Sequence, residues 1–227
     1  MRMRGLAELA KHDERTARRH VDAALARLAK VVTDGGWARD GDVHVGSGWY
    51  VDHLDVVLRL DNGPVRSIER RTIVATRNGL DRVVNSVDVL PPDRDGTPSP
   101  ARMEVMFGAM ADPVGAMTGH HFESQILLSR DLRRAERHTY GVVITSEAMA
   151  SHFVCVPLRK HKSFDLTVRF DPGRRPAAAW VLDHARTRAI DEHRPTPALL
   201  EPDRAGEVRW SFGRLKNGLA YGIQWRW

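Results

Sequence analysis

Apolar and polar residues follow two different periods along this chain. Up to Gly36 the apolar positions recur every three or four residues, as they do on one face of an α-helix. After Gly36 they alternate with polar positions, which is the period of a strand with one buried face. The change of period predicts a helical segment over residues 1–36 and a β domain over residues 37–227.

The helical segment is predicted to contain two helices. A short helix over residues 6–10 is followed by a turn at residues 11–13 and by a longer helix, with Asp13 as its candidate N-cap. Gly35 and Gly36 provide a stop signal. The apolar stripe of the longer helix is formed by Ala17, Val21, Ala24, Leu28 and Val31.

The β region alternates most clearly in four runs, at residues 54–60, 164–170, 208–212 and 219–227. Weaker patterns predict strands at 65–76, 82–90, 103–108, 121–129, 138–146, 152–158 and 177–184. Turn sequences rich in Gly, Asn and Asp separate several of these runs, at 61–64, 78–79, 171–173 and 216–218. The pattern therefore predicts a mainly β fold, an antiparallel β-sandwich of about ten strands with Greek-key or jelly-roll connections, preceded by the helical segment.

The charge is concentrated near the start of the sequence. The chain has 35 Lys and Arg residues and 29 Asp and Glu residues, a net charge of +6. Residues 1–30 contain eight of the basic and four of the acidic residues, so they carry +4 of this charge. A basic segment of this kind suits contacts with phosphates, and it suits a solvated helix equally well.

Residues 6–21 resemble the core of a helix-turn-helix motif, in which the second helix enters the major groove of DNA. Ala7 lies where the first helix of the motif needs a small residue, whereas Lys11 and His12 depart from the usual turn residues. The residues placed to face phosphates and base edges are Arg15, Thr16, Arg18, Arg19 and His20. The alternative is an amphipathic helix that packs on the β domain or on a second copy of the chain.

His120, His121 and Glu123 are the candidate metal ligands of the β region. On a strand, His121 and Glu123 share one face and His120 points to the other, so only two ligands converge locally. A half-exposed strand edge is therefore favoured over a metal site. The sequence has no Gly-x-Ser-x-Gly elbow, no phosphate-binding glycine loop and no Cys-x-x-Cys pair, and it predicts neither a cofactor nor a catalytic residue.

Three further features bear on binding. Residues 159–162 form a basic sequence that suits an anion, a nucleic-acid backbone or simply a charged turn. Cys155 lies in an apolar run and is expected to be buried and inert, and as the single cysteine it excludes an intramolecular disulfide. The six tryptophans are expected in the core, with a small-molecule pocket between the sheets or at one end of the sandwich as the alternative.

The sequence contains no run of 18 apolar residues, so no membrane-spanning segment is expected. Its basic start lacks the apolar run and the small-residue cleavage site of a secretory signal. A cytoplasmic location is therefore expected.

Residues 43–227 resemble the C-terminal β domain of uncharacterised, largely actinobacterial proteins that carry helix-turn-helix regions. The matching features are Trp49 and Tyr50, residues 70–81, residues 132–134 before a strand near Arg137, residues 164–172 and residues 221–225. The resemblance implies a β domain attached to a DNA-binding or regulatory module. It implies no ligand and no catalytic residue.

These observations predict a transcriptional regulator. Its helical segment contacts DNA, and its β domain binds a small-molecule or protein ligand or mediates assembly into a homo-oligomer. The alternative is a protein-interaction module without DNA activity, whose helical segment forms a homodimer. A metal-dependent jelly-roll enzyme using His121 and Glu123 is the least favoured hypothesis.

Overall fold

A computed structural model describes residues 48–88, 101–111, 116–118 and 121–227. For residues 86–88, 116–118 and 121–123 it describes the backbone alone. The predicted helical segment and the boundary between residues 36 and 37 lie outside these ranges. Within them the chain is mainly β, which confirms the main prediction from the alternating pattern.

Among the described residues, the strands follow one another with one short helix, α1 (Arg188–Glu192), between the eleventh and the twelfth. They are β1 (Trp49–Leu60), β2 (Val65–Ala75), β3 (Leu80–Asp88), β4 (Ala101–Phe107), β5 (Ala109–Ala111), β6 (Ala116–Thr118), β7 (His121–Leu132), β8 (Arg137–Ser146), β9 (His152–Cys155), β10 (His161–Phe170), β11 (Ala178–Arg186), β12 (Leu199–Leu200), β13 (Glu207–Gly213) and β14 (Leu219–Arg226). Every run predicted from alternation overlaps an observed strand. Strands β5, β6 and β12 have three residues or fewer, too few for an alternating pattern to show.

The first sheet has six strands in the order β13-β10-β1-β2-β8-β4. Strands β1 and β10 are parallel, with Val56 opposite Leu166, whereas the other neighbours in this sheet are antiparallel. The prediction of a wholly antiparallel arrangement was wrong at this pair. Alternation shows which face of a strand is buried, but it carries no information on the direction of the neighbouring strand.

The second sheet has the order β12-β11-β14-β9 and packs against the first through aromatic side chains. The ring centroids of Phe170 and Trp225 are 5.5 Å apart, and those of Phe212 and Tyr221 are 6.0 Å apart. Both pairs join a strand of the first sheet to β14. Burying an aromatic side chain of this size contributes about 2 kcal/mol to folding, so these contacts are a large part of what holds the two sheets together.

The third sheet has the order β3-β7-β5, and β6 also pairs with β7. Leu80 and Val83 of β3, with Ile126 and Leu128 of β7, belong to the same buried apolar cluster as the inner residues of the first sheet. The three sheets therefore share one hydrophobic core. In the part of the chain that the structure describes, no helix combines the length and the apolar character needed to cross a membrane.

Gly222 and Gly213 provide a matched test of how closely β14 and β9 are packed. A Cβ atom on Gly222 would clash with the carbonyl oxygen of Phe153, whereas a Cβ atom on Gly213 would meet no heavy atom within 4 Å. We expect Gly222→Ala to lower the free energy of unfolding by about 2 kcal/mol, because the backbone of β9 must move. Gly213→Ala should change it by less than about 0.5 kcal/mol. Urea denaturation measures both, and equal effects would contradict the close approach.

Candidate functional site

Strands β1, β2, β8 and β10 each have one terminus at the same end of the first sheet. Because β1 and β10 are parallel, both begin at this end, and Val51 lies opposite His161. Strand β2 ends there and β8 begins there, with Val74 opposite both Tyr50 and Arg137. We call the surface formed at this end by Trp49, Tyr50, Arg137, Arg159, Lys160 and Lys162 the basic end.

Aromatic side chains of β1 hold three cations of the basic end. The Arg159 guanidinium carbon lies 4.0 Å from the centroid of the Trp49 ring. The ammonium nitrogens of Lys160 and Lys162 lie 5.0 and 5.2 Å from the centroid of the Tyr50 ring. These distances are within the range of cation–π attraction. The basic sequence at 159–162 is therefore packed against aromatic rings and is more than a solvated turn.

Asp52 connects two cations of the basic end, Lys162 and Arg137. Its Oδ1 lies 2.6 Å from Lys162 Nζ, and its Oδ2 lies 2.6 Å from Arg137 Nη2. The Asp52 side chain is 12% exposed and that of Arg137 is 65% exposed. Hydrogen bonds to Asp52 and then to Tyr50 raise the pKa of Lys162, so this lysine is protonated at neutral pH. Lys162 and Arg137 therefore share one carboxylate.

A buried ion pair lies on the inner face of β2. Arg71 Nη2 donates to Glu69 Oε2 at 2.7 Å, and Ser67 Oγ donates to Glu69 Oε1 at 3.2 Å. The Glu69 side chain is only 3% exposed. Although burial opposes the charged form, the carboxylate of Glu69 raises the pKa of Arg71. Removing one partner of such a pair leaves an uncompensated buried charge, which costs about 3–5 kcal/mol.

His161 and Cys155 lie near this ion pair, and both are uncharged at neutral pH. Burial, reinforced by the charge of Arg71, lowers the pKa of His161 to about 4. Burial raises the pKa of the Cys155 thiol to about 12. His161 therefore adds no charge to the basic sequence in which it occurs. Cys155 has almost no thiolate at neutral pH, which favours the inert thiol expected from its apolar run.

Three residues of the types found in hydrolase triads meet on the outer face of the first sheet. His53 Nδ1 lies 2.8 Å from Ser163 Oγ, and His53 Nε2 lies 3.5 Å from Asp165 Oδ2. Ser163 Oγ in turn donates to the backbone oxygen of Asp52 at 3.1 Å. Ser163 Oγ therefore contacts both the His53 imidazole and a backbone carbonyl. The three residues form a polar array on the outer face of the first sheet.

Sequence reasoning missed this array because the residues are far apart in the chain. His53 and Ser163 are 110 positions apart. They meet only because β1 and β10 pair in parallel, with His53 opposite Ser163. No local signal in the sequence brings the two strands together.

The candidate metal ligands are only partly covered by the structure. His121 begins β7 and Glu123 follows two residues later, opposite Asp88 and Ser86 of β3. They share a strand face, as the spacing predicts, but their side chains and the whole of His120 lie outside the described part. Among the side chains that are described, no group of three or more His, Cys, Asp or Glu residues is placed to hold a metal ion. The metal site stays a hypothesis.

The five predicted DNA-contacting residues, Arg15, Thr16, Arg18, Arg19 and His20, also lie outside the described residues. Of the tryptophans, Trp49, Trp180 and Trp225 are buried in the core, as expected. Trp210 and Trp227 are exposed. Trp37 lies outside the described residues.

No family model matches the chain, and no curated protein matches it. Among solved structures, it is similar to a two-domain M1 zinc metallopeptidase bound to L-tryptophan, with a TM-score of 0.44 and 15% identity over 78% of this chain and 43% of the peptidase. It is also similar to an M1 zinc metallopeptidase from Deinococcus radiodurans, with a TM-score of 0.42 and 15% identity over 78% of this chain and 42% of that one. The chain thus spans less than half the length of these peptidases. Similarity this low transfers neither a family nor an activity.

The neutral His161 makes the stability of the β fold depend on pH in a defined window. Its pKa is about 4 in the folded chain and about 6.5 in the unfolded chain, so the unfolded chain binds more protons between these values. The free energy of unfolding is therefore unaffected by this group above about pH 6.5 and falls as the pH is lowered towards 4, by up to about 3 kcal/mol.

His161→Gln should remove this part of the pH dependence, because the amide does not titrate. Urea denaturation at pH 7.5 and pH 5 measures the loss of stability on acidification for both proteins. We expect a smaller loss in the variant than in the wild type. The same loss in both would show that the imidazole is not held neutral in the folded chain.

Proposed function

We propose that this protein is a DNA-binding regulator in which both parts of the chain contact the duplex. The helix-turn-helix-like segment reads DNA, with Arg15, Thr16, Arg18, Arg19 and His20 facing phosphates and base edges. The basic end of the first sheet contacts phosphates. The observation that carries the proposal is the placement of Arg137, Arg159, Lys160 and Lys162 on one end of a sheet, supported by Trp49 and Tyr50.

The geometry of the basic end suits a phosphate backbone for two reasons. Lys160 is exposed and Lys162 and Arg137 are substantially exposed, so their charges can approach an extended polyanion without leaving water. The aromatic contacts and Asp52 restrict these long side chains before binding, which lowers the entropy that association would otherwise cost. Contacts of this kind are independent of DNA sequence, and they orient a protein whose specificity lies elsewhere.

The two proposed contact regions are close in the sequence. Strand β1 carries Trp49 and Tyr50 at its start, and the basic segment precedes this strand. The resemblance of residues 43–227 to β domains of helix-turn-helix proteins supports the same arrangement. We further propose that the first two sheets form a β-sandwich with Greek-key or jelly-roll connections, that the protein acts in the cytoplasm, and that its β domain senses a ligand or mediates homo-oligomer assembly.

A charge-matched pair of triple variants tests the role of the basic end. In the first, Arg159, Lys160 and Lys162 are each changed to Gln; in the second, the exposed residues Arg175, Arg188 and Arg204 are each changed to Gln. Fluorescence anisotropy of a labelled duplex, measured with the full chain between 50 and 200 mM salt, gives the affinity and its salt dependence.

The first variant should bind at least tenfold more weakly at low salt. Its slope of log affinity against log salt should be shallower by about 2 to 3, because each lost phosphate contact removes about 0.9. The second variant should bind as the wild type does. The same loss of affinity in both variants would mean that DNA binding depends on the overall charge of the protein and not on the basic end. An affinity that does not change with salt would overturn the proposed phosphate contacts of the basic end. Changing Arg18 and Arg19 to Ala tests the predicted reader separately, and full retention of affinity would contradict that role.

A further inference from the structure

Strand β4 lies at one edge of the first sheet. It pairs with β8 on one side, and among the described residues no strand pairs with its other side. The open side of an edge strand presents backbone N–H and C=O groups to which a strand of another chain can bind. The side chains of β4 alternate: Arg102 and Glu104 are exposed, whereas Met103 and Val105 are partly buried against the core.

The two charges of β4 are opposite in sign and two residues apart, so the strand is complementary to a second copy of itself. If two copies pair antiparallel with Met103 on the twofold axis, Arg102 of each copy lies opposite Glu104 of the other. Opposite charges directly across an antiparallel pair stabilise it, and like charges destabilise it. Registers centred on Arg102 or on Glu104 place like charges opposite each other. The charges therefore favour the register centred on Met103.

The same register matches the other face of the strand. Met103 of one copy lies opposite Met103 of the second, and Val105 lies opposite Ala101. All of these are apolar, and Met103 and Val105 already pack against the core of their own chain. Pairing in this register therefore continues the apolar face of one sheet into the apolar face of the other.

Apolar side chains are exposed at the end of β4 and just beyond it. Met106, Phe107 and Met110 are 57%, 46% and 61% exposed. They are three of the seven large apolar side chains that are exposed among the described residues, and they lie within five positions of one another. A concentration of this kind marks an interaction surface, and Met and Phe are enriched in protein interfaces. It provides apolar area beside the open strand edge.

The opposite edge of the first sheet is less suited to self-pairing. Strand β13 also carries an acidic and a basic residue two positions apart, Glu207 and Arg209. Glu207 is already paired within the chain, with Arg169 and with Arg209. By contrast, Arg102 and Glu104 have no ion-pair partner among the described residues. The charges of β4 are therefore available to a second copy.

We propose that β4 is a homodimer interface, in which the β4 strands of two copies pair antiparallel with Met103 on the twofold axis and Arg102 of each copy against Glu104 of the other. The two six-stranded sheets then join into one continuous sheet across the axis. This inference rests on the homo-oligomer assembly proposed above, for which it names the surface and the register. It is measured without DNA, so its failure and a failure of the proposed DNA contact are distinguished.

Charge reversal tests the proposed register. Sedimentation velocity of the full chain at concentrations up to about 100 µM gives the dissociation constant of the dimer. Arg102→Glu and Glu104→Arg should each weaken self-association at least tenfold, because each places like charges opposite each other twice. An equimolar mixture of these two variants should form a heterodimer, since every pair across the axis is then complementary. The double variant Arg102→Glu/Glu104→Arg should dimerise as the wild type does.

Arg66→Glu is the matched control. Arg66 is exposed in the same sheet, and both Arg66 and Arg102 lie opposite Thr145, on its two sides. Because Arg66 is on β2, away from the edge, this variant should dimerise as the wild type does. A monomeric wild type would overturn both the interface and the proposed assembly. A dimeric wild type whose single β4 variants associate unchanged, or fail to associate when mixed, would overturn the β4 interface alone.

Cysteine crosslinking tests the position of the axis independently of charge. Met103→Cys places two thiols opposite each other across the axis, so mild oxidation should give a disulfide-linked dimer. Val105→Cys places its two thiols about 13 Å apart along the paired strands, too far for a disulfide. The buried native Cys155 is present in both variants and serves as an internal control. Equal crosslinking of the two variants, or none at position 103, would overturn the proposed register.

Discussion

Parallel pairing of β1 with β10 joins two strands that are separated in the sequence by β2 to β9. The contact places Leu54, Val56 and Leu58 beside Phe164, Leu166 and Val168 along the middle of the first sheet. These buried side chains belong to the face of the first sheet that packs against the second sheet. Phe170 contacts Trp225 there, and Phe212 contacts Tyr221. The same pairing determines both ends of the first sheet, because it fixes which strand starts and which turns lie together.

The two ends of the first sheet consequently have different chemistry. At the end where β1 and β10 begin, Trp49 and Tyr50 pack against the cations Arg159, Lys160 and Lys162. At the end where they finish, Leu60, Met149 and Trp227 are among the residues that line a cavity of about 330 Å³. Between them, the Glu69–Arg71 pair lies buried on β2 with its charges matched.

Much of the fold was predictable from local pattern, whereas the chemistry of the ends was not. Alternation predicted β10 from residues 164–170, and it placed Phe164 on the inner face and Asp165 on the outer face. It made no prediction for His161, which appears among basic residues in the sequence but lies opposite Val51 with its pKa lowered by burial. The sequence predicted that the tryptophans lie in the core or in a pocket, but it did not predict which tryptophan lies where. Only the tertiary structure separates the buried Trp49, Trp180 and Trp225 from the exposed Trp210 and Trp227.

The amino-acid sequence by itself determined the mainly β character, the positions of the longer strands and the face that each strand buries, because these depend on a period of two residues and on local turn chemistry. The tertiary structure decided which strands are neighbours, their direction and which distant residues share a surface. The physical reason is that backbone hydrogen bonds between strands are the same for every residue type. The partner of a strand is therefore chosen by packing of the whole core, and no short stretch of sequence encodes it.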